Sequence, residues 1–252
     1  MNPEICAKLV QQSRSGDRRA MLQLLRLAHT PVTYLCRKLI GNEMAAEIMT
    51  RQILSAMPRQ LGALGDPAEF EKWISRIAAS RCMQSRTQPD RSAAEEEEAV
   101  IPEVPAGDLD ELQTAKLVEH LVDLLPDAPR VCLLLYSCAG LKLKGIAQLT
   151  GFQESTVLEH LNQAQKVVNG QLRQYHKAGV HFPPMPALSV LVRTAMYSTR
   201  NPKAAALMVR DMLPKSPAPV QKKFTITKQI RTALIAAGIL LLALLVAILL
   251  LV

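Results

Sequence analysis

An all-α fold is what this sequence predicts, on two observations. Its apolar positions are filled chiefly by Leu, Ala, Ile, Val and Met, with aromatics at only 4% of the 252 residues, and Leu, Ala and Met are strong helix formers. No run of alternating Val, Ile, Thr and Tyr marks a half-buried strand.

The elements follow in order. Asp17 is placed to cap a helix over 18–28, with Met21, Leu24, Leu25 and Ala28 at helical spacing. Pro31 opens a second helix that ends at Gly41-Asn42, and a third covers 43–57. Asp66-Pro67 starts a fourth, whose stripe is Phe70, Trp73, Ile74, Ile77 and Ala78. Together these predict a first helical domain over 1–87. Residues 88–113 change character: Gln88-Pro89-Asp90, then Glu95 to Glu98, then Gly107. A block of like charges with prolines predicts a flexible acidic linker.

A second helical domain is expected over 114–177. It begins with a helix over 114–125, turns at Pro126 and Pro129, and continues as an apolar helix over 130–138 ending at Gly140. A short helix then breaks at Gly151 and a longer one begins near Glu154, with Val157, Leu161, Ala164 and Val168 on its apolar face. Two helices meeting at a Gly-containing bend, the second with an open polar side, are the pattern of a helix-turn-helix.

Residues 178–232 read as a juxtamembrane segment with two short helices, about 187–197 and 202–213, followed by the stiff spacer Ser216-Pro217-Ala218-Pro219. Ala233 to Val252 contains only Ala, Leu, Ile, Val and one Gly. Twenty such residues span roughly 30 Å as a helix, the thickness of a bilayer's hydrocarbon core, so a single transmembrane helix is expected. Lys222, Lys223, Lys228 and Arg231 precede it, which places the N-terminal body in the cytoplasm of a cell-membrane protein. Met1 to Cys6 contains no basic stretch leading into an apolar run, so no secretory signal is expected.

Charge and cysteine usage narrow the function classes. The net charge is +8, which suits nucleic acid or an anionic membrane surface as partner, and equally suits a basic flank that sets membrane topology. Cys6, Cys36, Cys82, Cys132 and Cys138 form no C-x-x-C pair, and four of them lie in apolar helical patterns, as buried thiols of a reducing compartment do. No Gly-rich phosphate loop, metal-ligand spacing or paired-carboxylate constellation is present, so no enzymatic activity, cofactor or metal is expected.

The second domain carries Leu125-Pro126, Arg130, Leu134-Leu135, Gly140-Leu141, Ile146-Ala147, Leu149 with Gly151, Thr156-Val157, Leu161 and Ala164 in order. The first carries Gly16-Asp17 and Phe70, Trp73, Ile74, Arg76, Ile77 and Ala78. In these motifs the chain resembles sigma-70 family RNA polymerase sigma factors of the extracytoplasmic-function type, over roughly 10–90 and 114–176. The resemblance implies a first domain that binds core RNA polymerase and borders the melted minus-10 strand, and a second that reads minus-35 promoter DNA. It also admits an anti-sigma regulator as a partner.

The implied DNA contacts are Gln153, Glu154, Ser155, Thr156, His160, Gln163 and Lys166 on the recognition helix, and Trp73, Arg76, Arg81 and Arg86 near the melted strand. The implied polymerase-binding positions are Glu47, Thr50 and Arg51. As part of the apolar stripe Trp73 also reads as a core residue, and Arg76, Arg81 and Arg86 as solvated helix face. Two departures keep a second class open. Thr50 and Arg51 stand where the family has a Gln followed by an acidic residue, and Lys166 is the main cation of a recognition helix that is otherwise Leu158, Glu159, Asn162, Gln163 and Gln165. Both departures suit a membrane-anchored protein-interaction module that does not bind promoters.

Overall fold

The computed structural model describes residues 1–86 and 101–212. Its elements are α1 (Pro3–Arg14), α2 (Arg18–Ile40), α3 (Glu43–Gln60), α4 (Phe70–Ser85), β1 (Gly107–Asp108), α5 (Glu111–Asp123), α6 (Asp127–Ser137), α7 (Leu143–Thr150), α8 (Glu154–Lys177), β2 (Val180–His181), α9 (Leu188–Ser198) and α10 (Pro202–Met212). The all-α expectation holds for these residues. The only strands among them are a two-residue parallel tie, in which Leu109 N–H donates to the His181 carbonyl at 2.9 Å.

Local chemistry sets most helix ends. The Asp17 carboxylate accepts from the Arg19 and Ala20 amides and starts α2. Gly41 ends it in the left-handed region at φ 77°, where a side chain is costly, and Asn42 then caps α3. Asp66 caps a single 3₁₀ turn, Pro67–Glu69, that leads into α4. Asp110 and Gln113 form a reciprocal capping box, so α5 begins at Glu111, three residues before the expected start.

Two expectations are corrected here. The helix break expected before Pro31 does not occur, and α2 runs unbroken through it. An interior proline costs about 3 kcal/mol because a helix hydrogen bond is lost. Leu24, Leu25, Ala28, Val32, Leu35 and Cys36 are all essentially inaccessible, on both sides of the proline. Each fully buried Leu or Val contributes about 1.5–3 kcal/mol, so the continuous packing surface outweighs the local penalty. The second correction is α1, which was not anticipated. It buries Cys6, Leu9 and Val10 against α2 and α4.

The helices form two sets, α1–α4 and α5–α8: in the first, α2 lies at the centre against α1, α3 and α4; in the second, α8 packs on α6, α7 and α5. One continuous apolar core runs through both. Ion pairs stitch the two sets together. Lys38 reaches Glu119 at 3.0 Å and Asp123 at 2.6 Å, and Arg86 reaches Asp127 at 2.6 Å. Arg193 of α9 pairs with Glu71 of α4. Burial alone would push the Glu71 carboxyl up, but the hydrogen bond from the Met1 amine and the Arg193 charge hold it below its ordinary value.

All five cysteines are buried and free, and Cys36 and Cys82 lie 3.5 Å apart, sulfur to sulfur. Burial pushes the Cys132 thiol up to about 11 and the Cys138 thiol up to about 12, so both serve as small core side chains.

Among the described residues no helix is long and apolar enough to cross a membrane. The expected span at 233–252, its basic flank, the Ser216 to Pro219 spacer and the Glu95 to Glu98 run all lie outside the described residues.

Candidate nucleic-acid interface

The bend between α7 and α8 is built from short-range interactions. The Thr150 hydroxyl donates to the Ile146 carbonyl at 2.8 Å and drops back on its own helix. Gly151 takes φ 78° and its amide closes α7 onto the Ala147 carbonyl. Phe152 and Gln153 complete the turn, with Gln153 in the extended conformation of an N-cap. Ile146, Val157, Ala164 and Val168 are fully buried and hold the two helices against α6. The opposite side of α8 faces solvent.

On that side Gln153, Glu154, Ser155, Gln163 and Lys166 are exposed, as expected for residues that meet a ligand. Thr156 is half-buried. His160 is also half-buried, its ring 5.2 Å from that of Phe152, so it steadies the turn as well as bordering the surface. The exposed face sets Glu154 and Glu159 against Lys166, Arg173 and Lys177. Such a face offers few cations to a phosphate backbone.

The Gln153 side chain makes no capping bond, which leaves the first amides of α8 unsatisfied by it. Replacing it with Ser, whose shorter side chain reaches those amides, is expected to stabilise the protein by about 1 kcal/mol. A rise in the thermal midpoint checks this. An unchanged midpoint would mean that water already serves those amides equally well.

The α4 residues do not act as one group. Trp73, Arg76 and Arg81 line a shallow groove with Leu64, Asp66 and Gln84. Trp73 is half-buried, with its ring 6.0 Å from that of fully buried Phe70, so it is both a core residue and a groove wall. Arg76 also reaches the Gly140 carbonyl at 3.4 Å. Arg86 departs from the expectation. It turns away from the groove to the Asp127 carboxylate, because that anion is partly enclosed and draws both Arg86 and Arg130.

On α3, Glu47 and Arg51 are exposed and pair at 3.0 Å. Thr50 is not part of that surface. It is fully buried, and its hydroxyl donates to the Ala46 carbonyl at 2.8 Å, because the helix turns this position toward Cys36 in the core.

Asp127 and Glu71 were missed in the sequence. Asp127 stands three residues before Arg130, a spacing that signals a helix ion pair; nothing local signals the partners of Glu71. Among the described residues no group of three or more His, Cys, Asp or Glu is placed to hold a metal ion.

No protein-family model and no curated protein matches the chain. Among solved structures it is similar to one described as CnrH in complex with the cytosolic domain of CnrY. The identity is 17%, over 68% of this chain and 98% of that one, with a TM-score of 0.41.

Proposed function

We propose that this chain is a membrane-tethered sigma factor of the extracytoplasmic-function type, which directs RNA polymerase to promoters. The observation that carries the reading is the α7–α8 bend: a buried apolar side, a left-handed Gly151, and a polar side of α8 left open to a duplex. The motif order from Leu125 to Ala164 supports it. The groove of Trp73, Arg76 and Arg81 is suited to stacking a base and holding phosphates of a single strand. The tether rests on the apolar run 233–252.

A second reading has its own support. Leu158 and Val167, 47% and 39% exposed, stand on opposite flanks of α8, and the face between them carries charges of both signs. A helix face of that kind suits a protein partner as well as DNA.

The test is co-purification of the full chain, in lipid nanodiscs, with core RNA polymerase, followed by transcription from a promoter library. The sigma-factor reading expects a stable complex and initiation from a defined promoter class. Absence of polymerase binding, with α8 instead capturing a protein, would favour the interaction module.

A further inference from the structure

Helices α9 and α10 serve neither the α7–α8 bend nor the α4 groove, and their attachments differ. α9 is rooted in the second set: it packs along α5 and α6 and touches α2. It buries Leu188, Leu191, Val192, Ala195 and Met196. α10 crosses to the first set and packs on α2 and α3. Only residues 199–201 join the two helices.

The grip of α10 is narrower than that of α9. Ala205 and Val209 are its buried side chains among those described, Met208 and Met212 pack against the core half-buried, and Leu207 is 53% exposed. A helix of eleven residues is marginal in water by itself, so docking is what keeps it ordered. The surface it borders is polar. Thr33 and Tyr34 of α2 and Glu47 and Arg51 of α3 line a groove whose other wall includes Leu207 and Met208 of α10. The Thr33 hydroxyl is enclosed there without a hydrogen-bond partner. A polar wall gains little from being covered, and an unpaired hydroxyl gains from water. Elements with few buried apolar contacts are those that open first.

We propose that α10 is an intramolecular latch. Docked, it narrows the α2–α3 groove beside exposed Glu47 and Arg51; released, it widens that face for a protein partner while α9 stays on α5 and α6. The identity of the partner as core RNA polymerase rests on the sigma-factor reading, whereas the latch motion does not.

The test compares the full chain with Val209→Asp, which places a charge under the latch, and with the milder Val209→Ala. Hydrogen exchange is read by mass spectrometry, and binding to core RNA polymerase by titration. In Val209→Asp the amides of Pro202–Met212 should exchange about tenfold faster or more, with α2, α5 and α9 keeping their protection. Val209→Ala should show a smaller acceleration confined to the same helix. Polymerase affinity should rise about tenfold on opening. Loss of protection in α2 or α9 together with α10, in the milder variant as well, overturns the latch, since α10 would then be an inseparable part of the core. Opening of α10 with a measurable but unchanged polymerase affinity overturns the masking of the α3 face. Opening of α10 in a chain that binds no polymerase in either form supports the latch and refutes the sigma-factor reading.

Discussion

Replacing Asp127 with Ala is expected to destabilise the protein by about 2–3 kcal/mol, less than the loss of a partner from a fully buried ion pair because the carboxylate is 32% exposed. One carboxylate oxygen takes Arg86 at 2.6 Å and the other takes Arg130 at 2.7 Å. The Arg130 side chain is 8% exposed and that of Arg86 18%, so neither guanidinium recovers full hydration when the anion is gone. One nitrogen of each already lacks a partner. Asp127→Asn, which keeps one acceptor and the volume, should cost less. Urea unfolding of the two variants beside the native chain checks the order.

The same carboxylate sets a pH dependence. Burial pushes the Asp127 carboxyl up, but the hydrogen bond from Arg130 and the charges of Arg86 and Arg130 outweigh it and hold the value below the ordinary carboxylate range. As pH falls, the unfolded chain therefore takes up this proton before the folded chain does. The stabilisation is complete above the unfolded value of about 3.9 and is lost as pH drops through the folded value. Glu71, whose value is also lowered, contributes with the same sign. Urea midpoints should be flat near neutrality and fall steeply in acid, and Asp127→Ala should fall less steeply. Identical slopes for the two chains would remove Asp127 from the account.

Phe70→Ala is the other large effect, at about 3–5 kcal/mol. Phe70 is fully buried at the start of α4, a helix that packs on α2, α3 and α1 at once. Removing the ring leaves a cavity that three helices cannot fill without separating from one another. Trp73, the single tryptophan of the chain, sits with its ring 6.0 Å away and reports the change directly. Its fluorescence midpoint in urea should move far down with the slope unchanged. A loss below about 1 kcal/mol would place Phe70 in a site able to collapse, contrary to its packing.

Much of the secondary structure was legible because its causes lie within a few residues. Asp17, Gly41 with Asn42, and Gly151 act on amides and carbonyls one to four positions away. The stripe from Phe70 to Ala78 shows its own inner face, and the bend at Gly151 falls where the sequence places it. The misreadings have a common origin in distant neighbours. Pro31 breaks helices locally, yet α1, α3 and α4 pack along α2 on both sides of it. Thr50 and Arg51 are adjacent in sequence, and only the position of α2 decides that the first is enclosed and the second exposed. Arg86 looks like any cation at a helix end until Asp127, 41 positions on, is brought to it.

By itself, the sequence determined that the chain is helical, where most of its helices begin and end, and that α7 and α8 meet at a bend. These are matters of spacing, capping and left-handed glycine. The tertiary structure alone decided which polar groups face solvent and which are consumed in holding the molecule together. Burial and charge pairing depend on residues such as Lys38 and Asp123, or Glu71 and Arg193, that meet only when separate helices pack.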